Sequence, residues 1–346
     1  MAKKKAENKK LSSEAEILKE FGKVISTGEE LLETKSKFES LSVCPSLDLA
    51  LNGGLLEGSW NIISGDPKTG KSTTCLQVCK NAQDAGRNII YIDAESRLKQ
   101  YNLLGVKGLD LKKFQTVHTP EGEEQLSAED FLKIGESLMR MPKNKGAVVV
   151  IDSCSTLVPR DELEKDPSAS IRASLPKLLA HWIKKNAQVV VNNRLIVLII
   201  THYITNTSGY GKIKVPDCGL QIQYQADTRL DVKKIEAWEE NDAKIGQLVH
   251  WDIGCSAMGA SGTSCISYLR FGKGIDKDRE VIELAESFGI IDKGGAWYTI
   301  PFIEGNEEYE GLPHKHQGKA NLGEFLSDNP KVFNEILKQV NEMLCV

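Results

Sequence analysis

Gly65-Asp-Pro-Lys-Thr-Gly-Lys-Ser72 fits G-x-x-x-x-G-K-[ST], the spacing of a loop that cradles a nucleoside triphosphate. The short β-prone run Trp60-Asn-Ile-Ile-Ser64 precedes it, and Thr73 to Gln83 continues as a helical pattern, so the glycines fall where a strand turns into a helix. Gly65 and Gly70 let the backbone turn tightly. Asp66, Pro67, Lys68, Thr69, Gly70, Lys71, Ser72 and Thr73 then surround the phosphates, and the backbone N–H groups of all but Pro67 line up beside phosphate oxygens, helped by the positive end of the helix dipole. In this frame Lys71 reaches the β- and γ-phosphates, and the Ser72 hydroxyl binds Mg²⁺. The alternative is a glycine-rich turn with a chance lysine, and both flanks argue against it.

In open parallel sheets the reactive groups collect at the carboxyl ends of strands, so the polar residues that close each apolar run come next. Asp152 follows Val148-Val-Val-Ile151, the arrangement of an aspartate that holds Mg²⁺ directly or through water. Asp93-Ala-Glu95 closes Ile89–Ile92, and Glu95 is the candidate base for the water that attacks the γ-phosphate. Thr201-His202 closes Leu195–Ile200, where His202 could touch the γ-phosphate. The rival readings are a surface glutamate for Glu95, a turn-capping aspartate for Asp152 and a satisfied core histidine for His202.

Two loops beyond these strand ends carry the equipment for gripping a phosphate strand. Residues 159–172 contain Arg160, Lys165 and Arg172; residues 205–223 contain Tyr210, Lys212 and Lys214 among glycines. Two lysines against one aspartate give only +1 between 203 and 218, and a plain linker remains the competing reading.

The elements that must position these groups alternate in type. Strands are predicted at Asn61–Ser64, Asn88–Asp93, Ala147–Asp152, Leu195–Thr201 and Arg229–Val232, and their near-continuous apolar character argues for a mostly parallel sheet covered on both faces. Ser127-Ala-Glu-Asp130 caps a helix with Phe131, Ile134, Leu138 and Met141 on one face, and Leu175, Leu178, Leu179, Trp182 and Ile183 mark another. At the start, Ser13-Glu-Ala-Glu16 resembles a capping box before Ile17, Leu18, Phe21, Val24 and Ile25, an amphipathic helix that docks on its own core or on a neighbouring subunit. After Phe271 the pattern shifts to glycine-rich turns and a helical end with Phe325, Val332, Phe333, Ile336, Leu337, Val340 and Leu344 as its apolar positions. The expected organisation is therefore 1–40 as an N-terminal oligomerisation segment, 41–270 as the nucleotide-binding core, and 271–346 as a small α/β C-terminal domain.

Composition bounds the rest. The 346 residues, 40% hydrophobic and 27% charged, suffice for one α/β core with accessories. The net charge of −4 excludes a generally basic protein, so nucleic-acid binding has to come from local patches. The longest apolar runs fall far short of the roughly 20 residues of a membrane helix, and the lysine-rich start lacks the apolar stretch of a secretory signal, so a cytoplasmic location is expected. Eight cysteines without C-x-x-C spacing fit reduced thiols better than disulfides or zinc, with Cys75 and Cys79 as small core residues. His314-Lys-His316 reads as a solvated loop.

Taken in order, these segments resemble the bacterial RecA family. Ser46-Leu-Asp-Leu-Ala-Leu-Asn-Gly-Gly-Leu55, the phosphate loop, Tyr91-Ile-Asp-Ala-Glu95, Val149-Val-Ile-Asp-Ser153 and Ala226-Asp-Thr-Arg-Leu-Asp-Val232 are similar to its core. Phe271-Gly-Lys-Gly-Ile-Asp276, Gly294-Gly-Ala-Trp-Tyr298, Gln317-Gly-Lys-Ala-Asn321 and Asp328-Asn-Pro330 resemble its own C-terminal domain, and Glu20-Phe-Gly-Lys23 its oligomerisation helix. The resemblance implies a RecA-like ATPase core and a recombinase that polymerises as a helical filament on single-stranded DNA with ATP and Mg²⁺. Such a protein pairs that strand with homologous duplex DNA and exchanges strands, and can work with recombination mediators and single-strand-binding proteins. Glu95 takes the place of the catalytic glutamate, and 159–172 and 205–223 those of the two DNA-binding loops. The chain departs from the family at Thr201-His202, where RecA has Asn-Gln and phage branches resemble this sequence at the second position. It also lacks the two interface lysines near Gly254-Cys-Ser-Ala257 and the long acidic tail. These departures keep open a second reading, a nucleotide-regulated single-stranded-DNA scaffold without strand exchange, and point to a divergent, bacteriophage-like member.

Overall fold

The computed structural model describes residues 24–164, 174–205, 214–240 and 242–344, with positions 17, 19, 21 and 22. It divides into a unit of Met1–Glu39 and a unit of Ser40–Val346. In the first, a helix at Gly28–Lys35 is closed by a reciprocal capping box: Glu30 N–H donates to Thr27 Oγ1 (3.2 Å) and Thr27 N–H to Glu30 Oε2 (2.8 Å). The sequence reading places no helix there. The Ser13–Glu16 capping box lies outside the described residues, and Ile17, Phe21, Val24 and Ile25 are exposed.

The second unit is built on a ten-stranded sheet. Its strands are β1 (Ser59–Gly65), β2 (Ile89–Asp93), β3 (Phe114–Val117), β4 (Val148–Asp152), β5 (Ile196–Thr205), β6 (Lys214–Pro216), β7 (Thr228–Glu240), β8 (Ala243–Cys255), β9 (Ser264–Arg270) and β10 (Gly274–Ile275). They run in the order β10-β9-β8-β7-β1-β5-β4-β2-β3, with β6 paired to β5. From β7 to β3 every pairing is parallel; β8, β9, β10 and β6 add antiparallel. This mostly parallel α/β sheet is the expected class, enlarged on one side by a hairpin that the strand predictions lack.

Period-two alternation explains why the central strands read as continuous apolar runs. Ile63, Tyr91, Val148, Val150, Leu198 and Ile200 pack on one face with the buried helix Lys71–Asp84, while Ile62, Ile90, Val149, Ile151, Val197 and Ile199 pack on the other with helices Ala128–Met139 and Leu175–Asn192. Trp182 meets Trp60 edge-on at 5.6 Å between ring centroids, and its indole N–H donates to the Leu132 carbonyl (3.1 Å). In the Ala128–Met139 helix the expected Ser127 cap is present, but the buried face is Phe131, Leu132, Gly135, Leu138 and Met139. Ile134 and Met141 face outward, because a true i, i+3/i+4 series from Ala128 passes them by.

Residues beyond β10 form their own core. Helices Lys277–Ser287, Lys319–Asp328 and Pro330–Leu344 bury Val281, Leu322, Val332, Ile336 and Val340 against a three-stranded antiparallel sheet of Asp292–Gly294, Trp297–Thr299 and Lys315–Gln317. This corrects the loop reading of His314-Lys-His316. His316 is buried at the centre of a strand, its ring 4.2 Å from that of Phe325 and its Nε2 3.0 Å from the Pro313 carbonyl oxygen. Among the described residues, no helix is long and apolar enough to cross a membrane.

Candidate nucleotide site and loop interface

Register fixes where the functional side chains meet. Gly65 at the end of β1 pairs with His202 within β5, and Asp93 at the end of β2 pairs with Asp152 at the end of β4, so three strand ends meet beside His202. A cleft of about 510 Å³ opens there, lined by residues 67–73 with Glu95, Asp152 and His202.

The phosphate loop is shaped by two left-handed residues, Lys68 (φ 62°) and Gly70 (φ 92°). Gly70 is required by its left-handed turn, and Gly65 by its wall, since a Cβ there would stand 2.9 Å from Val232 Cβ. The Lys71 ammonium is buried and donates to the carbonyls of Gly65 (2.9 Å) and Asp66 (2.7 Å). Burial lowers its pKa, and Asp152 and Glu95 oppose that.

Asp152 is held by the Tyr91 hydroxyl, which donates to Oδ2 at 2.6 Å. Burial pushes the Asp152 carboxyl above its ordinary value, with the Tyr91 and Ser72 hydroxyls pulling the other way. Its Oδ1 is buried with no hydrogen-bond partner among the described residues. An orphaned carboxylate oxygen beside a serine hydroxyl, both facing a phosphate loop, fits a hard divalent cation such as Mg²⁺.

Glu95 is mostly buried, and its backbone N–H donates to the Asp152 carbonyl (3.1 Å). One carboxylate oxygen stands 3.7 Å from His202 Nε2 and the other 2.7 Å from the Arg97 guanidinium. The nearby His202 ring, then the charge of Arg97, holds the Glu95 carboxyl below its ordinary value against the effect of burial. It is therefore an ionised carboxylate, as a general base must be. His202 Nε2 also lies 3.2 Å from Ser153 Oγ, while Nδ1 is buried without a hydrogen-bond partner among the described residues. Asp93 is turned away from the cleft and accepts the backbone N–H groups of Arg97 (3.3 Å) and Leu98 (3.1 Å), which shapes the loop after Glu95.

Family models for the RecA N-terminal domain and the RecA C-terminal domain match residues 9–276 and 279–345. The chain belongs to the RecA family. It is 29% identical to the RecA protein of Thermotoga maritima over 324 residues, covering 90% of this chain and 85% of that one. It is 29% identical to that of Frankia alni over 334 residues (95% and 90%) and 30% identical to that of Pseudomonas fluorescens over 302 residues (86% and 80%).

Against this RecA frame the expected DNA-contacting residues fall in three places. Lys165, Arg172, Tyr210 and Lys212 lie outside the described residues. Arg160 begins a short helix at Arg160–Leu163, and its guanidinium pairs with Asp130 at 2.7 Å. Lys214 opens β6, and its ammonium pairs with Asp66 of the phosphate loop at 2.6 Å. The far wall of the cleft, Gln247, Leu269, Arg270 and Phe271 from β8, β9 and the turn beyond, was invisible in the sequence, as were Tyr101 and Asn102 opposite. Arg97, two residues from Glu95, carried the one signal that was there to be read.

Proposed function

We propose that this RecA-family chain is a DNA-dependent ATPase and recombinase. It assembles as a helical filament on single-stranded DNA, pairs it with homologous duplex DNA and exchanges strands. The observation that supports this most is the path of β5: it carries His202 into contact with Glu95 and then continues into the β5–β6 hairpin, the candidate DNA loop. A γ-phosphate sensed at His202 thereby reaches the DNA-contacting segment through one strand.

In this reading the backbone N–H groups of Asp66 and of residues 68–73, with the Lys71 ammonium, bind the triphosphate, and Ser72 and Asp152 would hold Mg²⁺, which would neutralise phosphate charge. Glu95 orients the attacking water and takes its proton. His202 reports the γ-phosphate to the hairpin, so DNA affinity rises with ATP and falls after hydrolysis. Arg160, Lys165, Arg172, Tyr210, Lys212 and Lys214 contact DNA, the N-terminal segment 1–40 joins neighbouring protomers, and the location is the cytoplasm, that of the host for a phage-encoded protein. Mediators and single-strand-binding proteins are the expected accessory partners.

A second reading, a nucleotide-regulated scaffold that coats DNA without exchanging strands, is favoured by one feature: Gly254-Cys-Ser-Ala257 offers no lysine to a neighbour's ATP. Electron microscopy with single-stranded DNA and a slowly hydrolysed ATP analogue, followed by strand exchange between homologous circular and linear DNA, separates the readings. Helical filaments with joint molecules support the recombinase; filaments without joint molecules support the scaffold. Protein that forms no polymer with any adenine nucleotide refutes both.

A further inference from the structure

Close to the His202 backbone, two thiols from distant parts of the chain touch. Cys154 lies two residues after Asp152, in the turn Cys154–Thr156, and Cys218 lies two residues after the end of β6. Their sulfurs are 2.8 Å apart across a sequence separation of 64 residues, and both side chains are buried. The surroundings are apolar, with Leu157, Leu179 and Ile222 in the same cluster. The attachment of each partner matters. Asp217 N–H donates to the His202 carbonyl (2.9 Å), Cys218 Sγ reaches Ser155 Oγ (3.7 Å), and the Ser155 hydroxyl accepts from the His202 N–H (2.9 Å). Cys218 thus anchors the returning arm of the β5–β6 hairpin, and Cys154 opens the turn that follows Asp152.

We infer that Cys154 and Cys218 form a reversible redox site, at which a thiol oxidant of the diazene class joins them as an intramolecular disulfide that clamps the hairpin to the turn after Asp152. A disulfide needs sulfurs at about 2.0 Å, so the closure is less than one ångström from the observed contact. In the reaction one thiolate adds to the N=N bond of diamide, and the second thiolate displaces the resulting hydrazide. The sulfur–sulfur bond forms, two S–H bonds are lost, and the diazene leaves as the hydrazine carrying both protons and both electrons.

The clamp's effect on DNA rests on the function proposed above; the chemistry does not. Full-length protein treated with diamide, denatured and alkylated is expected to yield one peptide pair linking Cys154 to Cys218, lighter by two hydrogens and restored by dithiothreitol. Cys154→Ser and Cys218→Ser each remove it, with circular dichroism as the check on folding. Complete alkylation of both thiols after diamide, or linkage to other cysteines instead, overturns the site. With the link in place, affinity for single-stranded oligonucleotide is expected to become the same with ATP analogue and with ADP, while Cys154→Ser, which lies outside both candidate DNA loops, keeps its nucleotide response in diamide. A linked protein that still responds to nucleotide overturns the clamp. The mass measurement needs neither ATP nor DNA, so its failure is separate from failure of the recombinase reading.

Discussion

His202 Nε2 stands 3.7 Å from Glu95 Oε2, which puts the candidate sensor of the γ-phosphate against the candidate base that acts on it. The pair joins two strands with β4 between them, and it is the largest influence keeping Glu95 ionised, ahead of Arg97. A lowered carboxylate pKa keeps the base deprotonated further into acid. Replacing His202 with Gln therefore moves the acid limb of the ATPase pH profile to higher pH, and Arg97→Ala moves it the same way by less. Profiles of kcat/KM for the three proteins check this; an unmoved limb in His202→Gln would show that the contact does not tune the base.

In the proposed mechanism Lys71 and Glu95 serve different steps, and their variants should separate binding from chemistry. Glu95→Gln is expected to lower turnover by about 10²–10⁴-fold while retaining nucleotide and DNA binding. Lys71→Ala removes a preorganised cation from the phosphates and should cost at least about 10²-fold in turnover with weaker triphosphate binding. Single-turnover hydrolysis with a fluorescent-nucleotide titration distinguishes them. Wild-type turnover in Glu95→Gln would remove the base from the mechanism.

Lys214 and Asp66 link the first residue of β6 to the phosphate loop at 2.6 Å, with both side chains about half exposed. A pair so open to solvent contributes about 0–1 kcal/mol to folding, so neither Lys214→Ala nor Asp66→Asn should shift the unfolding midpoint appreciably. Their effect should fall on DNA. If Lys214 contacts a phosphate, Lys214→Ala flattens the slope of log affinity against log salt by about one unit. Asp66→Asn releases the lysine and should raise DNA affinity without nucleotide. Unchanged affinity and slope in both variants would leave the pair with no part in the grip.

What could be read from the sequence was what lies in contiguous runs. The phosphate loop, Asp152 after four apolar residues and Glu95 after β2 are each a strand with its polar end attached, and central strands buried on both faces advertise themselves. The segments that escaped notice lack that signature. Phe114–Val117 is a half-buried edge strand, and β7 exposes Lys233 to Ala237 in mid-strand, so its charges read as the end of Arg229–Val232 rather than the middle of a hairpin. Gln247, Leu269 and Phe271 reach the cleft only because β8 and β9 fold back beside β7, a tertiary fact no local pattern carries. The pairs Glu95–His202 and Cys154–Cys218 are tertiary for the same reason. His316 was misread because one buried imidazole between polar neighbours looks like a loop until Phe325 is placed beneath it.

Glu280 ties the Lys277–Ser287 helix to the nucleotide-binding core, and it does so at a pH-dependent cost. Its carboxylate is fully buried and accepts the backbone N–H groups of Ser46 (3.0 Å) and Tyr268 (3.1 Å). Burial outweighs these bonds and raises its pKa from 4.5 to about 7, and burial likewise raises that of nearby Asp48 from 3.8 to about 6. Between the unfolded and folded values the native state binds more protons than the unfolded chain, so stability falls as pH rises. The contribution is complete below the ordinary carboxylate range and is lost as pH passes through about 7 at Glu280. Glu280→Gln removes this titration, but it sets an amide N–H₂ against one of the two donors, so it should lower stability at every pH while flattening the decline. Urea unfolding of both proteins across this pH range tests it; equal slopes would mean that Glu280 ionises in the folded protein much as it does in the unfolded chain.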